Sequence, residues 1–238
     1  MVQAPLPILS PRWSELVKSI LAQDPASVLP KTYTREQLAG WSIQRKLLAE
    51  SFSRNSSSVI EIPFSGGART SLVLERQLSR GTVFLNTSDI YAEPLVDFHT
   101  HENPVDRAIL VDSYRFYRKF MQAPSNLALG PVEVAPAPAL QTDDELWQYA
   151  AAGGGVSSGH LCCTSAMGAK SLGGVLSRDM EVYGVDGLSV GDNSAAPLIV
   201  AAHTCATVYA ISEKVRIYSL LFYWGCVDNF CVFRRRRI

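Results

Sequence analysis

Apolar residues in this 238-residue chain recur first at helical spacing and then at strand-like spacing. A first helix is predicted over Trp13–Gln23, ending before a proline. A second is predicted from Thr34 to about Ser53, because the sequence Thr-Arg-Glu-Gln at 34–37 has the form of a capping box. Residues 1–12 are rich in proline and are predicted to be irregular.

The middle of the chain combines short β-branched runs with two further helices. Asn103 followed by Pro104 predicts the start of a third helix, with the asparagine as N-cap. A second capping box at Thr142 predicts a fourth helix that ends at the glycines 153–155. The predicted strands are Val59–Ile62, Ser71–Glu75, Gly81–Asn86 and Pro94–Phe98.

These elements suggest four consecutive regions, which are an N-terminal helical segment (1–58), a domain core (59–156), a histidine-bearing segment (157–214) and an atypical hydrophobic-basic tail (215–238). The composition, 47% hydrophobic and 18% charged, is typical of a globular protein. A formal net charge of zero gives no indication of a nucleic-acid partner.

The five cysteines do not predict a disulfide framework or a metal site. Their number is odd, there is no C-x-x-C pair, and Cys162 and Cys163 are adjacent. His160 beside these cysteines would suggest a metal ligand only if a second ligand cluster had zinc-type spacing, and none does. The N-terminus shows no signal-peptide pattern, and the compartment stays open.

Two histidines stand in distinctive sequence contexts. His160 lies in SSGHLCCTSAM (157–167), and His203 follows GDNSAAPLIVAA (191–202). The connector between them contains GGV at 173–175 and VYGV at 182–185. Together these segments resemble the C-terminal part of the glucose-methanol-choline (GMC) oxidoreductases, which are flavoenzymes that oxidise alcohols.

The resemblance extends over about residues 31–214. LSRGTV at 78–83 and NPVD at 103–106 match landmarks of the family's substrate-binding domain in the same order. It implies an α+β fold, with a mainly antiparallel sheet and flanking helices, and a C-terminal segment that would complete a flavin-binding domain. It also implies FAD as cofactor and a small-molecule alcohol as substrate.

The resemblance also assigns roles to individual residues. His160 matches the histidine that usually serves as the base, a role suited to imidazole, whose ordinary pKa is near working pH. His203 matches a residue that hydrogen-bonds the substrate oxygen. FAD contacts would come from Asp192 and Asn193, at the end of a predicted strand Leu188–Gly191, and from the helix start at Thr204 and Cys205.

Structural roles are the alternative for each of these residues. Either histidine could be an ordinary structural residue, and Asp192 could be a helix cap. The other two histidines, His99 and His101, are interpreted as surface loop residues.

The chain departs from the family pattern beside His160. It has Leu161 where the family has proline, Cys163 where the family has glycine, and Gly159 where an aromatic residue is common. It also lacks the G-x-G-x-x-G turn that holds a dinucleotide pyrophosphate.

Two hypotheses for the function follow. The chain is either the C-terminal portion of an FAD-dependent alcohol oxidoreductase, or an inactive fragment or binding module that lacks its own flavin domain and could pair with a separate one.

The tail allows two interpretations. After Lys214, where the last helix is predicted to end, an apolar stretch is followed by four arginines, the arrangement of a tail anchor with a basic flank. The stretch is shorter than the ~20 residues of a membrane span and contains Asp228 and Asn229, so a membrane role is disfavoured. Translation through an unspliced intron is the favoured explanation, and the tail is then expected to find no packing partner.

Overall fold

The computed structural model describes residues 1–63, 70–155 and 159–223, with side chains described up to Tyr218 within the last range. The chain divides into two compact units. The first contains residues 1–33 and 41–158, and the second contains residues 34–40 and those from 159 onward.

The first unit begins with a strand that the sequence did not predict. β1 (Val2–Pro5) is followed by a one-turn helix, α1 (Leu6–Leu9). β1 pairs antiparallel with β2 (Ser58–Ile62), with Val2 opposite Ile62 and Ala4 opposite Ile60. The prediction of an irregular segment over 1–12 is therefore wrong. Proline is tolerated here because β1 is an edge strand, where a backbone N–H can be spared.

The described residues form two antiparallel sheets. β3 (Val73–Leu74) pairs with the other side of β2, which gives the order β1-β2-β3. β4 (Thr82–Phe84) pairs with β5 (Leu95–Asp97) in a separate two-stranded ribbon. All four predicted strands of this region are present, although three are shorter than expected, and the α+β fold class is confirmed.

The helices that follow α1 are α2 (Trp13–Ala22), α3 (Pro25–Val28), α4 (Arg35–Phe52), α5 (Pro104–Met121), α6 (Pro124–Leu127), α7 (Asp143–Gly153) and α8 (Cys205–Tyr223). Three helices, α4, α5 and α7, begin where the capping signals at Thr34, Asn103 and Thr142 predicted. The Thr34 amide donates to Gln37 Oε1 over 2.8 Å, and the Gln37 amide donates to Thr34 Oγ1 over 3.3 Å. Asn103 caps α5 by accepting from the Val105 amide, and Thr142 forms a complete capping box with Glu145. No helix in the described ranges has the length and apolarity needed to cross a bilayer.

The core of the first unit is formed where α1, α2, α4 and α5 pack on the β1-β2-β3 sheet. Its buried members are Ala4, Leu6, Leu9, Leu16, Ile20, Leu48, Ala49, Phe52, Val59, Ile60, Leu74, Leu78, Val105 and Ile109. Burial of this many aliphatic side chains is the main stabilising contribution to the unit.

A buried carboxylate joins the loop before β4 to the start of α5. Asp106 is fully buried, and its oxygens accept from the Leu78 amide (2.8 Å), the Ser79 amide (2.7 Å) and the Ser79 hydroxyl (2.5 Å). Ser79 Oγ accepts in turn from the Asn103 amide over 3.0 Å. Burial raises the pKa of Asp106, and the donors from Leu78 and Ser79 oppose that rise.

The second unit is smaller and contains little regular structure before α8. Two 3-10 turns lie at Lys170–Leu172 and Asn193–Ala195. The strand predicted over Leu188–Gly191 is reduced to a single bridge between Ser189 and Glu181, so that prediction is wrong. The core is formed by Leu176, Met180 and Ala195, with Met167, Val182, Val190, Ile211 and Val215 packed against it.

α8 continues past the predicted end at Lys214 and reaches Tyr223. Val215, the first residue of the expected tail, packs against the core of the second unit. The expectation that the tail lacks a packing partner is therefore wrong at this position. The rest of the predicted tail, from residue 224, lies outside the described residues.

Replacing Asp106 with asparagine should lower the free energy of unfolding by about 2 kcal/mol, because an amide cannot accept from all three donors and would place its own N–H against one of them. Urea unfolding monitored by circular dichroism measures the change. Asp89→Asn is the matched control, since Asp89 is exposed and accepts from the Tyr91 amide through Oδ1, a bond that asparagine can keep. Equal stability of the two variants would contradict the assigned role of Asp106.

Truncating Val215 to alanine should lower the stability of the second unit by about 1 kcal/mol, because it removes part of a packed side chain. Ile217→Ala on the same helix is the control, as Ile217 is 45% exposed and should tolerate the change within about 0.5 kcal/mol. Amide hydrogen exchange along α8 is the measurement. Similar exchange in both variants would mean that α8 does not depend on the Val215 contact.

Candidate active site

The segment after His160 lies alongside the turn at Asn193–Ala195. The amides of Cys163, Ser165 and Met167 donate to the carbonyl oxygens of residues 193, 194 and 195, over 3.2, 3.0 and 2.9 Å. The Asn193 side chain adds a bond from Nδ2 to the Leu161 carbonyl oxygen, at 2.7 Å. Two segments about thirty residues apart in sequence are thus held side by side by backbone hydrogen bonds, which we call the backbone ladder.

The two glycines of the GGV connector lie where the backbone favours glycine, one because two chain segments approach closely and the other because of its φ angle. A Cβ atom at Gly174 would overlap the Gly168 carbonyl group, and Gly173 has a positive φ of 78°. Both positions therefore favour glycine. The chain can consequently bring Met167 into a bridge with Leu176, which is fully buried in the second core.

The two predicted catalytic histidines come together. His203 Nδ1 lies 3.2 Å from His160 Nε2, and the ring centroids are 5.0 Å apart with the planes tilted by 58°. His160 is half-buried, whereas His203 is exposed. A hydrogen bond between two ring nitrogens needs one donor and one acceptor, so this geometry requires at least one of the two rings to be neutral.

The four residues predicted to contact FAD lie at the turn Asn193–Ala195 and at the beginning of α8. Asp192 is exposed and caps the 3-10 turn, with Oδ1 accepting from the Ser194 amide over 2.7 Å. The cap alternative is thus observed for Asp192, and it leaves the second carboxylate oxygen for another contact. Asn193 holds the Leu161 carbonyl, a positioning role that the sequence did not indicate.

Thr204 and Cys205 stand at the beginning of α8. Thr204 is buried and its carbonyl accepts from the Val208 amide at 2.9 Å, while Cys205 is exposed. The first turn of α8 contains no acidic residue. No acidic residue of the first turn therefore offsets the partial positive charge of this helix end, and the helix begins two residues after His203.

Cys163 adopts a backbone conformation that is unusual for a side chain. Its φ of 72° lies in the left-handed region, which glycine populates freely and other residues enter at a cost of roughly 1–2 kcal/mol. The position where the chain departs from the family's glycine is thus one where the backbone favours glycine. The ladder bond from the Cys163 amide to Asn193 holds it there.

The remaining histidines belong to the first unit and lie in a loop as predicted, but both are half-buried. His99 Nδ1 lies 2.8 Å from Asp97 Oδ2, and the half-buried His101 meets the edge of Trp147 at a centroid distance of 5.7 Å. Burial lowers the pKa of His101. In the described ranges, no group of three or more His, Cys, Asp or Glu side chains could hold a metal ion.

The described residues bring two histidine rings into contact, and one of the two lies close in sequence to the start of α8. Residues 77–212 match the C-terminal family model described as GMC oxidoreductase. The chain therefore belongs to the GMC oxidoreductase family and corresponds to its C-terminal part.

Relatives and solved structures agree with this assignment. A dehydrogenase of Emericella nidulans, xptC, is 35% identical over 202 residues, which is 85% of this chain and 32% of the relative. A fungal aryl-alcohol oxidase superposes with a TM-score of 0.83 at 32% identity, covering 92% of this chain and 38% of the other. An FAD-dependent oxidoreductase from Chaetomium thermophilum gives a TM-score of 0.84 at 30% identity, with the same coverage. The chain spans about a third of the length of these proteins.

Replacing Cys163 with glycine should raise the free energy of unfolding by up to about 1 kcal/mol, because the relief of left-handed strain exceeds the entropy that glycine adds to the unfolded chain. Cys162→Gly is the matched control, since its φ is not positive, and it should destabilise. Thermal unfolding of both variants measures the difference. Destabilisation by both to the same degree would show that residue 163 carries no strain.

Proposed function

We propose that this chain forms the C-terminal catalytic portion of an FAD-dependent oxidoreductase that acts on the CH–OH group of small-molecule alcohols. The observation that carries the proposal is the contact between His160 and His203, at 3.2 Å. Membership of the GMC family sets the class of enzyme. The likeness to an aryl-alcohol oxidase supports an alcohol as substrate.

The chemistry explains why two imidazoles are needed. Oxidation of an alcohol to a carbonyl removes a proton from the hydroxyl oxygen and a hydride from the adjacent carbon. A base must take the proton, and a second group must hold the oxygen while charge develops on it. Two adjacent rings, of which at least one is neutral, can divide these roles between them.

His160 is assigned as the base and His203 as the group that binds the substrate oxygen. His160 is the more buried of the two and follows a glycine with a φ of 84°. Its chain segment is fixed by the ladder to the Asn193 turn, so its backbone is well positioned. His203 is exposed beside the start of α8 and can reach a substrate from the open side.

The residues present fit a flavin on one side of this pair. The first-turn amides of α8 and the partial positive charge of that helix end suit an electron-rich ring edge. Asp192, Asn193, Thr204 and Cys205 would be the residues of this chain that contact FAD. Bound FAD would supply the acceptor for the hydride. The pyrophosphate-binding turn would have to come from residues other than these 238.

The alternative is that the chain is an inactive fragment, or a binding module paired with a separate flavin domain. One experiment distinguishes this alternative from the proposed function. Joined to the portion of the aryl-alcohol oxidase that this chain does not align with, the chain should complete an active site. Flavin absorbance after desalting reports whether FAD is held, and oxidation of an aryl alcohol reports turnover. A joined protein that holds FAD and oxidises no alcohol would favour the inactive alternative.

In that joined protein, His160→Ala should lower kcat by about 10²-fold or more, the size expected for loss of a positioned base. His203→Asn should have a smaller effect, because asparagine can still donate a hydrogen bond to the substrate oxygen. His99→Ala is the control for replacing a histidine elsewhere and should leave kcat unchanged. Unaltered turnover in His160→Ala, with FAD still bound, would remove the assignment of the base.

A further inference from the structure

Two buried carboxyl groups share one face of the β1-β2-β3 sheet. Gln3 lies directly opposite Glu61, and directly opposed residues point to the same face. Glu75 follows two positions after Val73, the residue opposite Glu61 on β3, so it points to that face as well. We call Gln3, Glu61 and Glu75 the carboxyl cluster. Both glutamates are buried, with exposures of 3% and 7%, whereas Gln3 is exposed.

The two carboxyl oxygens of Glu75 have different surroundings. Oε1 accepts from Gln3 Nε2 over 3.2 Å, while Oε2 is buried and has no hydrogen-bond partner among the described residues. A buried carboxylate that lacks a partner is costly, and protonation removes most of that cost. Burial raises the pKa of Glu75, and the charge of Glu61 adds to that rise. Ser58, Arg76 and Gln3 oppose it.

The outer half of β1, Val2 and Gln3, is the part of this sheet that can separate most easily. β1 is an edge strand of four residues, so these two residues pair with β2 alone. Ala4 belongs to the buried core, whereas Val2 is only half-buried and Gln3 is exposed. Separation of Val2 and Gln3 from β2 therefore removes little apolar burial, and it opens Glu75 Oε1 to water.

We propose that protonation of Glu75 controls the pairing of the outer half of β1, which stays paired when the carboxyl is protonated and separates when it is ionised. Separation lets water solvate the carboxylate, which offsets the cost of burying it beside Glu61.

The raised pKa of Glu75 sets the direction of the pH dependence. The stabilising contribution of the contact is fully present below the ordinary pKa of a glutamate, and it is lost as the pH rises through the higher pKa of the folded state. The outer half of β1 should therefore separate on the alkaline side. This proposal does not depend on alcohol oxidation.

The test is amide hydrogen exchange in the full 238-residue chain, read residue by residue by NMR and corrected for the intrinsic exchange rate at each pH. Between about pH 5 and about pH 8, the amides that pair Val2 and Gln3 with β2 should lose about tenfold in protection. The amides of α5 should keep theirs, because the separation is local.

Three variants examine the source of the pH dependence. Glu75→Gln has no titrating group at this position and should keep the protection of β1 constant with pH. Glu61→Gln removes the neighbouring charge and should reduce the loss, because the pKa of Glu75 is then raised less. Glu93→Gln, at an exposed glutamate, is the matched control and should behave like the unaltered chain.

A loss of protection that persists unchanged in Glu75→Gln or in Glu61→Gln would overturn the proposal. An equal loss in α5 would overturn it too, since the first unit would then open as a whole. Protection that is constant with pH and increases when calcium chloride is added would also overturn it, and would identify a bound cation in place of the proton.

Discussion

The candidate site depends on the backbone ladder between the segment after His160 and the turn at Asn193. The ladder consists of backbone hydrogen bonds, and the Asn193 side-chain amide adds one more bond to the Leu161 carbonyl oxygen. Without it, His160 would lie on an irregular stretch with no regular strand or helix to fix it. The small core beneath, around Leu176 and Ala195, supports the ladder from below. Peptide groups and packing therefore hold the chain segment that follows His160.

The first unit shows why two separate sequence landmarks occur in a fixed order. LSRG at 78–81 and NPVD at 103–106 are bonded to each other through Asp106, Ser79 and Asn103. A buried carboxylate needs several donors, and the loop before β4 supplies them from backbone amides that would otherwise lack partners. The two sequence landmarks therefore belong to a single hydrogen-bonded cluster. It fixes the start of α5 and the chain just before β4 together.

Local signals predicted most of the helices, and non-local pairing explains the errors. Thr34, Asn103 and Thr142 act on amides within three residues, so their caps can be recognised without tertiary information. β1 exists only because β2 lies beside it, and the prolines of residues 1–12 conceal it in the sequence. Conversely, Leu188–Gly191 has strand-like composition but gains only one bridge. The meeting of His160 and His203 could be inferred only from resemblance, since no spacing rule links residues 43 positions apart.

The departures from the family pattern beside His160 first affect the conformation of the backbone, and only through it the position of His160. Cys163 keeps the left-handed conformation suited to glycine, because the bond from its amide to Asn193 and the following ladder bonds outweigh the strain. A substitution that left the ladder intact would leave the position of His160 intact as well. The persistence of the histidine contact despite Cys163 and Leu161 is then a consequence of where the constraint lies. Residues that keep the amide pattern can change, whereas loss of the turn at Asn193–Ala195 would remove the bonds that hold the chain segment after His160.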